Sequence, residues 1–218
     1  MSGPRRHAVL VDFDGTASLT DVGGELLDHF AADTSWHVID NDYVNGRVGS
    51  RAAYRLAQGL LRHDPAQWLA FALERTRLDP GFAALAGLCR RRQWPLEILS
   101  DGLEFYIHAA LRREGWVLPV RANRTGANGS GVAIHTPYMN PLCGRCGTCK
   151  AERVRELRER GFQVTYVGDG YSDLCAAPRA HRVFAKGVLA EHCAERGVEY
   201  HRFTTLAQVA DVLSGTAD

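Results

Sequence analysis

Short apolar, β-compatible runs recur along the chain, and each stops at a polar or glycine-bearing turn. Ala8 to Phe13 runs into Asp14-Gly15-Thr16, Leu96 to Leu99 into Ser100-Asp101-Gly102, Val164 to Val167 into Gly168-Asp169-Gly170, and Val183 to Ala185 into Lys186-Gly187. Runs of this length without alternation predict strands buried on both faces, as in a parallel sheet. Between them the apolar positions take helical spacing. Leu103, Tyr106, Ile107, Ala110 and Leu111 form one stripe, closed by Gly115; Ala151, Val154 and Leu157 form another, closed by Gly161. Strands alternating with helices imply a three-layer, doubly wound α/β core with a parallel sheet. In such a core ligands gather at the carboxyl ends of the strands, where the polar turns fall.

Two stretches break the alternation. From Thr20 to about Asp79 there are three helical patterns and no strand pattern, which suits a small helical cap inserted after the first strand. Ser50 is read as the N-cap of the middle helix, and Pro65 sits early in the third, where its missing N–H is tolerated. The second stretch, Val117 to Cys149, is rich in Gly, Asn and Pro. Asn128-Gly129 and Gly131 between β-prone runs predict a hairpin there. The expected organisation is a core of residues 1–19 and 80–218 and a cap of residues 20–79, with a frayed tail at 214–218.

Composition narrows the function classes. A chain of 218 residues with 45% hydrophobic content can bury one domain carrying an insertion. A net charge of +1 leaves no global field for nucleic acid or an anionic membrane, so neither is an expected partner. The run after Arg5 and Arg6 is too short for a secretory signal, and no stretch has the roughly 18 apolar residues of a membrane span. A cytoplasmic protein is expected. Its six cysteines, at 89, 143, 146, 149, 175 and 193, are then expected to be reduced.

The chemistry lies at the strand ends. Asp12 and Asp14 stand two residues apart, a spacing that can aim both carboxylates into one space. One can attack a phosphoryl group while the other handles protons, and a carboxylate nucleophile splits phosphoryl transfer into two steps. Crowded carboxylates call for a cation, and Mg2+, a hard ion preferring oxygen ligands, is the expected one. Asp169 supplies a further ligand. Ser100, with the amides of Asp101 and Gly102, can hold a phosphoryl oxygen at a helix N-terminus, and Lys150 offers a positive charge to the same group.

Taken in order, Asp12-Phe13-Asp14-Gly15-Thr16, Ser100, Lys150 and Gly168-Asp169-Gly170-Tyr171-Ser172-Asp173 resemble the signature of the haloacid dehalogenase superfamily. The resemblance implies that Asp12 is the nucleophile and Asp14 the general acid and base. Mg2+ would be held by Asp12, Asp169 and the main-chain carbonyl of Asp14, with Asp173 supporting the metal or Lys150. Thr16, Ser100, Asp101, Gly102 and Lys150 would bind the phosphoryl group. An acid at Asp14 favours phosphate esters over carbon–halogen bonds. Asp21 and the run Gly46-Arg47-Val48-Gly49-Ser50-Arg51 are similar to the phosphoserine phosphatase branch, and most similar to the group containing 2-hydroxy-3-keto-5-methylthiopentenyl-1-phosphate phosphatase. By that likeness Asp21, Ser50, Arg51 and Arg55 are candidates for substrate selection, with helix capping the alternative for Asp21. The substrate expected is a small phosphomonoester, phosphoserine-like or methylthio-ketopentenyl phosphate-like, and the assembly a monomer or homodimer.

Cys143, Cys146 and Cys149 form two overlapping C-x-x-C pairs just before Lys150, which admits a structural Zn2+ with His135, the nearest histidine in sequence, as a fourth ligand, reduced thiols packing the loop, or redox control in which a disulfide would shift Lys150. A phosphotransferase or phosphomutase using the same aspartyl-phosphate is one functional alternative. A non-enzymatic zinc-stabilised binding module is another.

Overall fold

Residues 6–62, 64–129 and 131–215 are described by a computed structural model. In chain order they form β1 (Arg6–Val11), α1 (Val22–Phe30), α2 (Trp36–Val44), α3 (Ser50–Ala57), α4 (Pro65–Arg75), α5 (Phe82–Arg91), β2 (Leu96–Leu103), α6 (Glu104–Arg113), β3 (Val120–Asn128), β4 (Gly131–His135), α7 (Lys150–Glu159), β5 (Phe162–Gly168), β6 (Arg182–Ala185), α8 (Gly187–Arg196), β7 (His201–Arg202) and α9 (Leu206–Ser214). The strands make one sheet in the order β4-β3-β2-β1-β5-β6-β7. Pairing is parallel from β2 through β1, β5 and β6 to β7, and antiparallel between β3 and β4. This is the α/β, predominantly parallel architecture that the apolar runs imply.

The chain divides into two compact units. The first comprises residues 1–19, 78–99 and 150–218, and the second 20–77 and 100–149. In the first, Val154 and Leu157 of α7 and Leu189, Ala190 and Cys193 of α8 bury against Leu10, Val164 and Tyr166 of the sheet. There Asp79 ties α5 to α9: its Oδ1 accepts from the Gly81 and Leu206 amides at 2.8 and 2.9 Å. In the second, Leu26, Leu61, Trp68 and Val132 form a core flanked by Phe30 and Phe105.

Several local expectations change. Residues 20–77 hold four helices, not three, because the polar segment Trp36–Val44 is itself helical. Ser50 is the first residue of α3 and not its N-cap; Gly49 takes that place, and the Ser50 hydroxyl is engaged elsewhere. The strand at Leu96 continues to Leu103, so Ser100, Asp101 and Gly102 lie on β2 ahead of α6 and do not form its N-terminus. The hairpin stands where Asn128-Gly129 puts it, with Asn128 paired to Gly131. Ser214 closes α9, while residues 216–218 of the expected tail and Arg5 lie outside the described residues.

Candidate active site

Parallel register brings the first two motifs together. β1 pairs with β5 from Arg6↔Phe162 to Val11↔Val167, so both strands end level. The Asp12 amide extends the ladder by donating to the Val167 carbonyl at 2.9 Å, and Gly168 and Asp169 follow directly. After Asp12 the chain turns tightly, with Ser18 N–H donating to the Phe13 carbonyl at 2.7 Å. Gly15 is required in that turn on two grounds. Its φ is +73°, and a Cβ there would lie 2.3 Å from Asp169 Oδ2. Asp14 precedes it, half-buried, with extended backbone.

Around this turn the first unit assembles a buried charge network. Lys150, the first residue of α7 and 2% exposed, donates to Asp12 Oδ1, to Ser172 Oγ at 2.7 Å and to Asp173 Oδ1 at 2.7 Å. Asp173 is fully buried and saturated. Its Oδ1 also accepts from the Tyr166 hydroxyl at 2.6 Å, and its Oδ2 from the Asp169 and Gly170 amides at 2.9 and 3.0 Å. The Thr16 hydroxyl donates to Asp169 Oδ1 at 2.6 Å. Burial pushes the Asp12 carboxyl well above the usual carboxylate range, reinforced by Asp173 and opposed by Lys150. Burial likewise raises Asp169, with Asp173 adding to it and Thr16 opposing. Burial alone would lower the Lys150 ammonium, but Asp12 and Asp173 outweigh it and hold its pKa well above the ordinary lysine value.

An excess of buried carboxylates over cations makes a group that could hold a divalent ion. Oxygens of Asp12, Asp169 and Asp173 lie within 4.8 Å of one another, and among the described residues this is the group that gathers in the way a metal requires. With both Asp173 oxygens engaged by protein donors, the carboxylates of Asp12 and Asp169 are the hard oxygen donors of this group that fit Mg2+. The cysteines do not gather. Cys143 is exposed and Cys146 and Cys149 half-buried, and among the described residues none joins such a group with His135, which sits on β4 opposite Arg124. The Zn2+ reading therefore has no support: the C-x-x-C spacing is present, but the loop does not fold its sulfurs around one point.

The remaining candidates belong to the second unit. Ser100 Oγ accepts from the Gly102 amide at 2.8 Å. Asp101 is bonded by its side chain to Ser50, Asn123 and the Thr148 amide. Asp21 caps α1, accepting from Gly24 N–H at 2.9 Å, so the capping alternative is the arrangement observed. The Arg51 amide donates to the Arg145 carbonyl at 3.2 Å, and Arg55 is exposed in the last turn of α3. Pattern reading missed Tyr166, which looked like one more core residue of β5. The available signal was a polar tip two residues before the strand ends at Gly168.

A family model described as haloacid dehalogenase-like hydrolase matches residues 9–178. The chain belongs to the haloacid dehalogenase-like hydrolases. Within that family it is similar to proteins named 2-hydroxy-3-keto-5-methylthiopentenyl-1-phosphate phosphatase. That of Geobacillus kaustophilus is 30% identical over 215 residues, covering 96% of each chain. That of Exiguobacterium sibiricum is 25% identical, covering 95% of this chain and 96% of its own. In fold it matches a phospho-aspartyl intermediate analogue of phosphoserine phosphatase at a TM-score of 0.69 with 17% identity, covering 97% of this chain and 99% of that one. Phosphoserine phosphatase from T. onnurineus matches at 0.73 with 16% identity, covering 100% and 99%. The haloacid dehalogenase-like hydrolase described here is an enzyme, a phosphomonoester hydrolase. Among its described residues no helix is long and apolar enough to cross a membrane.

Proposed function

We propose that the chain hydrolyses a small phosphomonoester in two steps through a phosphorylated Asp12, with Mg2+ as cofactor. The observation that carries this reading is the single buried Lys150 shared between Asp12 and Asp173. It holds one oxygen of Asp12, leaving the other to attack, and its charge offsets that of an incoming phosphate.

In the first step Asp12 attacks phosphorus, the ester P–O bond breaks, and Asp14 gives its proton to the departing oxygen. In the second, Asp14 takes a proton from water as that water attacks phosphorus, freeing inorganic phosphate and restoring Asp12. Asp12, Asp169 and the Asp14 carbonyl are the residues that would hold Mg2+. When bound, the ion supplies charge neutralisation and lets the substrate phosphate approach three carboxylates. Asp173, with all its acceptor positions engaged by protein donors, serves to orient Lys150 and the Asp169 loop. Thr16, whose hydroxyl proton goes to Asp169, orients that ligand, while Lys150 binds the phosphoryl oxygens.

The substrate proposed is 2-hydroxy-3-keto-5-methylthiopentenyl-1-phosphate, on the strength of relatives of that name aligned over nearly the whole chain. The test is phosphate release from this compound, phosphoserine and an aryl phosphate. Asp12→Asn is expected to abolish turnover on all three while keeping the parent's circular dichroism and melting temperature. EDTA is expected to silence the parent and Mg2+ to restore it. Full activity of Asp12→Asn on the aryl phosphate would remove Asp12 as nucleophile.

A further inference from the structure

Asp101, in the second unit, collects donors from three separate segments. Its Oδ2 accepts from the Ser50 hydroxyl at the start of α3, and its Oδ1 from the Thr148 amide at 2.8 Å and, more weakly, from Asn123 Nδ2 at 3.3 Å. The same Asn123 nitrogen donates to the Asp101 carbonyl at 2.6 Å. Ser50 closes the ring, its hydroxyl oxygen accepting from the Gly147 amide at 3.1 Å. Beside this ring the 46–51 turn is packed on the loop backbone. The Arg145 guanidinium donates to the Gly46 carbonyl at 2.8 Å, and a Cβ on Gly49 would lie 2.1 Å from the Arg145 carbonyl oxygen.

Residues 140–149 hold no strand or helix, and their path is set by side-chain anchors together with a few backbone bonds, among them Cys149 N–H donating to the Tyr138 carbonyl at 2.9 Å. They end at Cys149, and the next residue, Lys150, opens α7. At its other side Asp101 follows Ser100 directly. A carboxylate accepting several N–H and O–H donors makes charge-assisted bonds, roughly twice the strength of neutral ones.

We propose that Asp101 is a positioning residue: its carboxylate locks loop 140–149 to Ser50 of α3, fixing the loop end that runs directly into Lys150. The inference rests on the phosphate-binding role given to Lys150 above. Asp101 itself touches neither substrate nor metal in this scheme.

The experiment compares Asp101→Ala, Asp101→Asn and Ser50→Ala with the parent by aryl phosphate kinetics and by alkylation of each cysteine with iodoacetamide, followed by peptide mass spectrometry. Asp101→Ala is expected to lower kcat by about 10-fold to 100-fold, the scale of a small misplacement of a catalytic group, with KM changed less than about threefold. Asp101→Asn, which keeps one acceptor for Thr148, and Ser50→Ala, which removes one hydroxyl, should fall between. In all three the half-buried Cys146 and Cys149 should alkylate faster than in the parent, while the buried Cys89 and Cys193 do not. A kcat for Asp101→Ala within about twofold of the parent, or equal acceleration at Cys89, overturns the proposal, the second because it reports general loosening. A parent that releases no phosphate from the aryl ester overturns the phosphatase reading instead, and the cysteine rates still decide whether Asp101 holds the loop.

Discussion

Asp173 shows how much one side chain can organise. Two backbone amides, a phenol and an ammonium converge on its two oxygens, all within the first unit. The resemblance gave it a supporting role toward the metal or Lys150, and Lys150 is among the donors observed on it. Asp173→Asn would turn an amide N–H₂ toward groups that are themselves donors and leave Lys150 with one fewer anion. Breaking a buried pair from one side costs about 3–5 kcal/mol, so the variant is expected to unfold at markedly lower urea and to lose most of its turnover. Unchanged urea unfolding would remove this role. Gly15 gives a second test at this scale. Gly15→Ala drives a methyl into the Asp169 carboxylate, so the Mg2+ concentration for half-maximal activity should rise at least about tenfold, by the misplacement argument. Equal Mg2+ dependence in parent and variant would show that Asp169 tolerates displacement or does not hold the ion.

At the scale of elements, legibility followed burial. β1, β5 and β6 were readable because each carries a short, largely apolar run that is buried without interruption. β7 was not readable, since it is two exposed polar residues, His201 and Arg202, paired to Phe184 and Ala185. α2 was missed because only Trp36 of its nine residues is buried, leaving too little apolar stripe to give a period. Helix junctions set by a single polar group were equally hidden. Asp79 caps the amide at Leu206 across 127 residues of sequence, a pairing no local pattern announces. Asp79→Ala is expected to cost about 1–2 kcal/mol, the usual worth of such a cap, measured as a lower urea midpoint with an unchanged slope. A midpoint equal to the parent's would mean that α5 and α9 hold together without it.

For the whole molecule, the candidate site was legible because parallel pairing makes strand ends neighbours whatever the distance along the chain. Asp12 and Asp169 are 157 positions apart in sequence, yet each follows the end of a strand in level register, Val11 opposite Val167. What remained illegible was the partnering of side chains: that Thr16 serves Asp169, or that Asp101 binds Thr148, depends on packing that spacing does not encode. Burial of α5 adds a property of global stability. Cys89 on that helix is buried, and loss of solvent pushes its thiol from an ordinary value of 9.0 to about 12. Folding therefore favours the protonated thiol, and the sign follows from linkage. The contribution is complete below pH 9, where the unfolded chain is also protonated, and is lost as the pH rises through about 12. Urea unfolding between pH 8 and 11 should accordingly show the parent losing stability with a steeper slope than Cys89→Ala, whose starting stability is lower because a buried side chain has been removed. Parallel slopes would mean that the thiol ionises equally in both states, and that the helix opens to water well before the fold is lost.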